Sequence, residues 1–391
     1  MAEFLMPALG ADMTTGELVQ WHVKPGDTVH RGDVVAVVET HKGAIDVEIF
    51  LDGVIDELAP LHVPLPVGAQ LARVQPAAPS PDEGPLGAPR VPMPQLPKVP
   101  QVSRVSQVPQ VPQVSPATAQ IRPRATPAAR RHAQALHLSL DGVHATGPGG
   151  AVTLADVDRA AAPPVPGRAF DPAAMRAAIS TAMARSKREI PHYYLSEPVP
   201  LRRALDWLHA HNEAVPVTQR MLLAALLIKA VARAACEVPG LNGHHVEGSF
   251  RPAASVHVGV AIWLRGGGLI APALHDVQEQ PLESLMPALA DLVQRARTGG
   301  LRSSELTDPT LTVTALGEEG AVSVLGVIHP PQVALVGFGR VRQRAWVESG
   351  QVVPMPVAEV SLAADHRVSD GRVGSAFLAA LAAQLQQPQS L

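Results

Sequence analysis

Two residues carry chemistry that can be read from type and spacing. His366 lies in Ser361-Leu362-Ala363-Ala364-Asp365-His366-Arg367-Val368-Ser369-Asp370-Gly371, after a predicted strand and before a predicted helix, where a side chain can face a cleft. An imidazole of pKa near 6.5 suits removal of a proton from a thiol of pKa about 8.5 at neutral pH. With 16 His in the chain, an ordinary surface-loop histidine is the competing reading. Asp370 stands where the N-cap of the last helix belongs, and capping can be its whole role. Lys42 is the second candidate, in Glu39-Thr40-His41-Lys42-Gly43. The chain holds 27 Arg but only five Lys: Lys24, Lys42, Lys98, Lys187 and Lys229. A lysine kept at a turn in so arginine-rich a chain points to an acylatable amine, which a guanidinium cannot supply.

The elements that position these residues fall into three pieces. Residues 2–75 read as small and all-β. Turn signals Pro25-Gly26-Asp27, Arg31-Gly32-Asp33 and Asp52-Gly53 separate short apolar runs. Val34, Val35, Val37 and Val38 form one strand. In the next, Ile45, Val47 and Ile49 alternate with Asp46, Glu48 and Phe50, so one face is expected to be buried and the other wet. The turn between these strands projects Lys42. Residues 125–160 open with a helix over Pro127–Leu136, N-capped by Thr126, and Thr153 caps a short helix through Ala155-Asp156-Val157. Residues 170–387 alternate helices and strands. Met175, Ile179 and Met183 mark one helix and Leu282 to Val293 a second, which Gly299-Gly300 ends and Pro287 can kink. Strands are expected at Val256–Ile262, Leu311–Val313, Val333–Val336 and Val357–Leu362, with a final helix through Val373, Phe377 and Leu385.

Between the pieces, 76–124 is Pro-rich, with a short repeat at Gln107-Val108-Pro109 and Gln110-Val111-Pro112. Without aromatics or a sustained apolar period it reads as a disordered linker. In polyproline II at roughly 3.1 Å per residue it reaches about 150 Å. A second linker spans 161–169. A carrier on a long arm is the arrangement these features suggest for Lys42.

Composition narrows the rest. With 32 Lys+Arg against 35 Asp+Glu among 391 residues, no basic surface for nucleic acid or membrane is indicated. A single cysteine excludes a disulfide framework and thiolate metal clusters, and its apolar setting, Ala234-Ala235-Cys236, predicts a buried inert thiol. Lys229 and Arg233 interrupt the best membrane-span candidate, Met221 to Val238, and the N-terminus carries no targeting pattern, so a cytoplasmic location is expected. There is no P-loop, no dinucleotide fingerprint, no His-Glu-x-x-His and no paired-cysteine motif, so no metal is expected.

All three pieces resemble one architecture, the dihydrolipoamide acyltransferase component of 2-oxo acid dehydrogenase complexes. Residues 2–75 look like a lipoyl domain, with Glu39-Thr40-His41-Lys42-Gly43 at the lipoyl-lysine motif; biotinyl domains of the same fold flank the lysine with methionines. Residues 125–160 look like the peripheral subunit-binding domain, with Thr126-Pro127-Ala128-Ala129-Arg130-Arg131 and Ala145-Thr146-Gly147-Pro148-Gly149-Gly150. Residues 170–387 look like the α/β acyltransferase core of chloramphenicol-acetyltransferase-like fold, with Asp365-His366-Arg367-Val368-Ser369-Asp370-Gly371 matching its Asp-His-Arg-x-x-Asp-Gly signature.

The resemblance implies lipoate on Lys42, coenzyme A as substrate, and His366 as the base that deprotonates its thiol. It also implies an oxyanion hydroxyl, and Thr314 in Leu311-Thr312-Val313-Thr314-Ala315-Leu316-Gly317 falls at that position. Asp370 then orients the loop, by capping or by an ion pair with Arg176. Arg130 and Arg131 serve partner binding. The implied partners are the 2-oxo acid decarboxylase and dihydrolipoamide dehydrogenase subunits, around a homotrimer whose active sites span two subunits and which can assemble into a larger core. An acetyl group is favoured. Branched-chain acyl or succinyl transfer, and a non-catalytic subunit-binding scaffold, are the alternatives.

Overall fold

The computed structural model describes residues 2–9, 13, 15–40, 43–76, 125–135, 151–154, 156–157, 172–264 and 268–391. The chain divides into two compact units, Met1–Ala77 with Pro166–Leu391, and Ala78–Val165.

The first eight strands are β1 (Ala2–Leu5), β2 (Thr15–Trp21), β3 (Thr28–Val29), β4 (Val34–Thr40), β5 (Gly43–Glu48), β6 (Gly53–Leu58), β7 (Pro64–Pro66) and β8 (Gln70–Pro76). They form two facing sheets, ordered β1-β8-β6-β3 and β5-β4-β2-β7. The alternation read from the sequence puts Val35, Val38, Ile45, Val47 and Ile49 into one core with Leu18, Leu71 and Val74. Each such side chain contributes about 1.5–3 kcal/mol by burial. Two turns use the same device. The Asp27 and Asp33 carboxylates accept from the amides of Lys24 and His30, both at 2.8 Å, and Gly26 and Gly32 both take φ 94°.

In the second unit, α1 (Pro127–Ala135) begins as its sequence predicts, with Thr126 Oγ1 accepting from the Ala129 amide at 3.2 Å. Thr153 and Asp156 cap each other, the Thr153 amide donating to the Asp156 carboxylate at 2.8 Å and the Asp156 amide to Thr153 Oγ1 at 3.4 Å. Leu136 and the Gly-rich stretch 146–150 lie outside the described residues.

The remaining strands are β9 (His192–Pro200), β10 (Gly243–Val246), β11 (Ser249–Pro252), β12 (Val258–Val260), β13 (Ile262–Trp263), β14 (Leu269–Ile270), β15 (Ala273–Leu274), β16 (Leu301–Arg302), β17 (Leu311–Ala315), β18 (Ala334–Phe338), β19 (Arg342–Glu348) and β20 (Gln351–Asp365). The remaining helices are α2 (Pro172–Glu189), α3 (Arg202–Ala214), α4 (Leu223–Glu237), α5 (Leu282–Thr298), α6 (Ser303–Thr307) and α7 (Gly371–Leu385). A mixed sheet runs β15-β12-β17-β18-β20-β19, and β9 lies along β20. Helices α4, α5 and α7 bury their apolar faces with Val258, Val313, Val336 and Leu362 of this sheet. α5 continues through Pro287 and stops at Gly299, whose φ of 90° suits a residue without Cβ. β13 and β14 pair as a hairpin around the Gly-rich positions, of which 265–267 lie outside the described residues.

Three placements differ from, or add to, what the sequence suggests. Cys236 is exposed, not buried: α4 is buried on all sides over residues 225–232, but in its last turns Arg233, Cys236 and Glu237 share an exposed side while Ala234 and Ala235 stay buried. Lys229 is buried and donates to three carbonyls, of Val277 and Gln278 at 2.9 Å and of Gln280 at 2.6 Å, so its ammonium is fully paired. Glu48, expected on the wet face of β5, is only 6% exposed. β16 adds to β5 in parallel, with Leu301 opposite Ile45 and Arg302 opposite Asp46, and covers that face.

Candidate active site

His366 sits at the end of the longest strand. β20 is held on one side by β9 and on the other by β18, with Ala364 opposite both Tyr193 and Ala334. The chain then turns tightly: the amides of Val368 and Ser369 both donate to the Asp365 carbonyl at 3.0 Å, and the His366 amide donates to the Pro191 carbonyl at 3.0 Å. The Asp365 side chain is fully buried. Its Oδ1 accepts from the Arg367 amide at 2.9 Å and from Nε at 3.0 Å, and its Oδ2 from Nη2 at 2.6 Å. This fork fixes the residues on either side of His366, which is itself exposed.

β9 supplies the neighbours. The Tyr193 ring meets His366 edge-on, with centroids 5.2 Å apart, and its hydroxyl lies 2.9 Å from Ser369 Oγ. His192 Nδ1 donates to the Ile190 carbonyl at 2.8 Å, and Nε2 accepts from the Ile328 amide at 3.1 Å. That pairing fits the neutral ring, and burial holds its pKa below the ordinary value. Asp370 caps α7, its Oδ1 accepting from the amides of Arg372 at 2.9 Å and Val373 at 3.0 Å. The hydrogen bond from the Val373 amide, chiefly, lowers its pKa, and that from the Arg372 amide adds to the effect. No Asp370–Arg176 ion pair occurs among the described residues; what the structure shows for Asp370 is the cap on α7.

Thr314 lies near the C-terminal end of β17, opposite Gly337 of β18, which in turn faces Ser361 of β20. Its half-buried hydroxyl has no hydrogen-bond partner among the described residues, whereas Thr312 on the same face donates to Gln332 Oε1 at 2.6 Å. His366 is five residues past Ser361, so the two lie roughly 16 Å apart along the strand direction alone. One chain therefore does not bring His366 and Thr314 together. Val313 and Ala315, on the opposite face of β17, line an apolar cavity of about 670 Å³ with Trp263, Met286 and Leu289. Strand alternation separates that cavity from the Thr314 hydroxyl. A second cavity of about 430 Å³ adjoins the His366 loop, between Arg367, Gln332, His245 and Glu189.

Lys42 lies outside the described residues, but the strands on either side of it are paired at Thr40 and Gly43. Arg130 and Arg131 are exposed on α1, with Nε donating to the carbonyls of Ala125 at 3.3 Å and Pro127 at 3.4 Å. Among the described residues no cluster of His, Cys, Asp or Glu is placed to hold a metal ion, and no helix is long and apolar enough to cross a membrane. Sequence reasoning did not assign roles to Asp365, Arg367, His192 and Tyr193. The alternating charges of Asp365-His366-Arg367 were the available signal for the first two.

The sequence pattern of the 2-oxoacid dehydrogenases acyltransferase (catalytic domain) family matches residues 168–391. The chain belongs to this acyltransferase family. A pattern described as biotin-requiring enzyme, the biotin and lipoyl attachment fold, matches 2–70, and an e3 binding domain matches 123–158. This acyltransferase is 30% identical to the dihydrolipoyllysine-residue acetyltransferase component of a mitochondrial pyruvate dehydrogenase complex from Neurospora crassa, over 99% of this chain and 91% of that one. It is also 30% identical to the lipoamide acyltransferase component of a branched-chain alpha-keto acid dehydrogenase complex from Pseudomonas aeruginosa, over 99% and 98%. The crystal structure of a probable dihydrolipoamide acetyltransferase from Listeria monocytogenes superposes with TM-score 0.52 at 26% identity, over 55% of this chain and 92% of that one. The acyltransferase is thus a multidomain chain of lipoyl, e3 binding and catalytic domains.

Proposed function

We propose that the chain transfers an acyl group, acetyl by preference, between a lipoyl thioester on Lys42 and the thiol of coenzyme A. The observation that carries this is the His366 loop, an exposed imidazole whose two chain neighbours are tied together by the fork between the buried Asp365 carboxylate and Arg367. In this reading His366 takes the coenzyme A thiol proton, the sulfur forms its bond to the acyl carbonyl, and His366 returns the proton to the departing thiol. Thr314 donates a hydrogen bond to the oxygen that becomes negative at the tetrahedral stage. A base of this kind contributes about 10²–10⁴ in rate. The separation of Thr314 from His366 within one chain supports a site shared by neighbouring copies of a homotrimer, with Thr314 from one and His366 from the next.

Lipoate supplies the thiol that carries the acyl group, and a hairpin closed at Thr40 and Gly43 fits a group that must project from the domain. Residues 2–75 then act as the carrier, 170–387 as the catalytic domain, and 125–160 as the docking module for the decarboxylase or dihydrolipoamide dehydrogenase subunit, through Arg130 and Arg131. The relatives named acetyltransferase components support the acetyl group; the Pseudomonas relative supports a branched-chain acyl group as the second reading. Assaying wild type and His366→Ala side by side with acetyl-, isobutyryl- and succinyl-coenzyme A and free dihydrolipoamide tests both points. Loss of all transfer in the variant and a preference for acetyl are expected; turnover near wild type in His366→Ala would overturn the assignment.

A further inference from the structure

The outward face of β5 is covered by the catalytic domain. Leu301 and Arg302 extend the sheet along β5, and the contacts continue into α6. The Glu48 amide donates to Ser303 Oγ at 3.1 Å, and Glu48 Oε2 accepts from the Ser304 amide at 3.2 Å. Arg302 Nη1 lies 3.8 Å from Glu48 Oε1. Ser303 is 1% exposed, and Leu306 packs against the cores of both domains. Strand alternation places Asp46 and Glu48 outside the β-domain's own core. Residues 302–304 contact Glu48 directly, and burial holds the half-buried Asp46 carboxyl above its ordinary pKa.

We propose that residues 301–306 form a docking site for the chain's own lipoyl domain, engaged by strand addition to β5 and locked by Glu48. The docked strand starts at Gly43, so docking holds β5, the strand that follows the lipoyl-lysine motif in the sequence, against the core. On the neighbouring side Ala8 and Leu9 face Leu269, Ala271 and Pro330–Gln332 across a cavity of about 340 Å³. Pro330, Pro331 and Gln332 also line the cavity beside Arg367, so the docked domain and the His366 loop share one wall. Two residue pairs of one strand pairing and one buried carboxylate make a small interface, suited to a dock that opens and closes between visits to other subunits. A tethered partner needs little affinity, because the tether raises its effective concentration.

The inference rests on the reading of residues 2–75 as the acyl carrier, but its test does not use acyl transfer. In the full chain, amide hydrogen exchange is followed by mass spectrometry over 43–49 and 301–306 in wild type, Glu48→Lys, Arg302→Glu and the double variant. Both single variants put like charges together, and both segments are expected to exchange about tenfold faster or more. The double variant restores an opposite pair and is expected to return protection to both segments. Unchanged protection in 34–38 shows that the lipoyl domain stays folded; if Glu48→Lys unfolds it, Arg302→Glu on the core side makes the same test. Exchange at 43–49 and 301–306 that is indifferent to both single variants, or that changes in one segment only, overturns the dock. Unaltered transfer to free dihydrolipoamide is expected throughout, and its loss would instead bear on the catalytic reading.

Discussion

Replacing Arg367 by methionine tests how the loop presents His366. Arg367 supplies both partners of Asp365 Oδ2 (Nη2 at 2.6 Å and Nε at 3.1 Å), while Oδ1 keeps the residue 367 amide at 2.9 Å. Arg367→Met therefore leaves one oxygen of a fully buried carboxylate without a partner. Removing one member of a buried pair costs about 3–5 kcal/mol. The Arg367 side chain is 34% exposed, so water can reach the vacated space and about 2–3 kcal/mol is the better expectation. For a domain of this size that lowers Tm by roughly 5–10 °C. The catalytic consequence is separate. His366 is held by the hydrogen bond from its amide to the Pro191 carbonyl and by the fork around Asp365; losing the fork frees the imidazole by about an ångström or more, which costs about 10²-fold in kcat. If Arg367 acts only by positioning His366, the KM for coenzyme A is expected to stay within a factor of a few. Steady-state transfer between acetyl-coenzyme A and free dihydrolipoamide, measured below the lowered Tm, separates the two effects. A variant with near wild-type kcat would refute the claim that this pair positions His366.

Thr314→Val keeps shape and removes the hydroxyl, and a kcat loss of about 10²–10³ with little change in Tm is expected from the same assay. Lys42→Arg is expected to abolish turnover of the assembled complex while leaving transfer to free dihydrolipoamide intact, and intact mass should show lipoate on wild type only. His192 gives a pH signature. Its folded pKa is depressed by burial, so the neutral ring's contribution is fully present above about pH 6.5 and is lost as pH falls through the folded value. His192→Gln is expected to flatten the acid side of the Tm profile below about pH 6.5, and an unchanged profile would remove His192 from the account.

What was legible in the sequence was local. The Thr126 and Thr153 caps, the Gly299 stop, the two Asp-turns and the Asp370 cap each rest on residues within a few positions, and the structure has them as read. Alternation fixed the inward face of β5 but not the fate of its outward face, because the residues covering Glu48 lie 255 positions away. Cys236 was misplaced for a related reason: an apolar run shows composition, while burial on a helix depends on the angle at which each residue leaves it. The candidate site divides the same way. His366 was found from a strand–helix junction and a signature, whereas the bond from Ile328 to His192 and the edge contact of Tyr193 join segments that only the sheet brings together.

The claim that His366 and Thr314 act together across two copies has a direct test. His366→Ala and Thr314→Val chains are assayed for coenzyme A-dependent transfer separately and after co-expression at equal levels. Each alone is expected to be nearly inactive. Random mixing pairs an intact His366 with an intact Thr314 in about a quarter of shared sites, and recovery of about a quarter of wild-type activity is predicted. Mixed assemblies no more active than the separate variants would contradict the shared site.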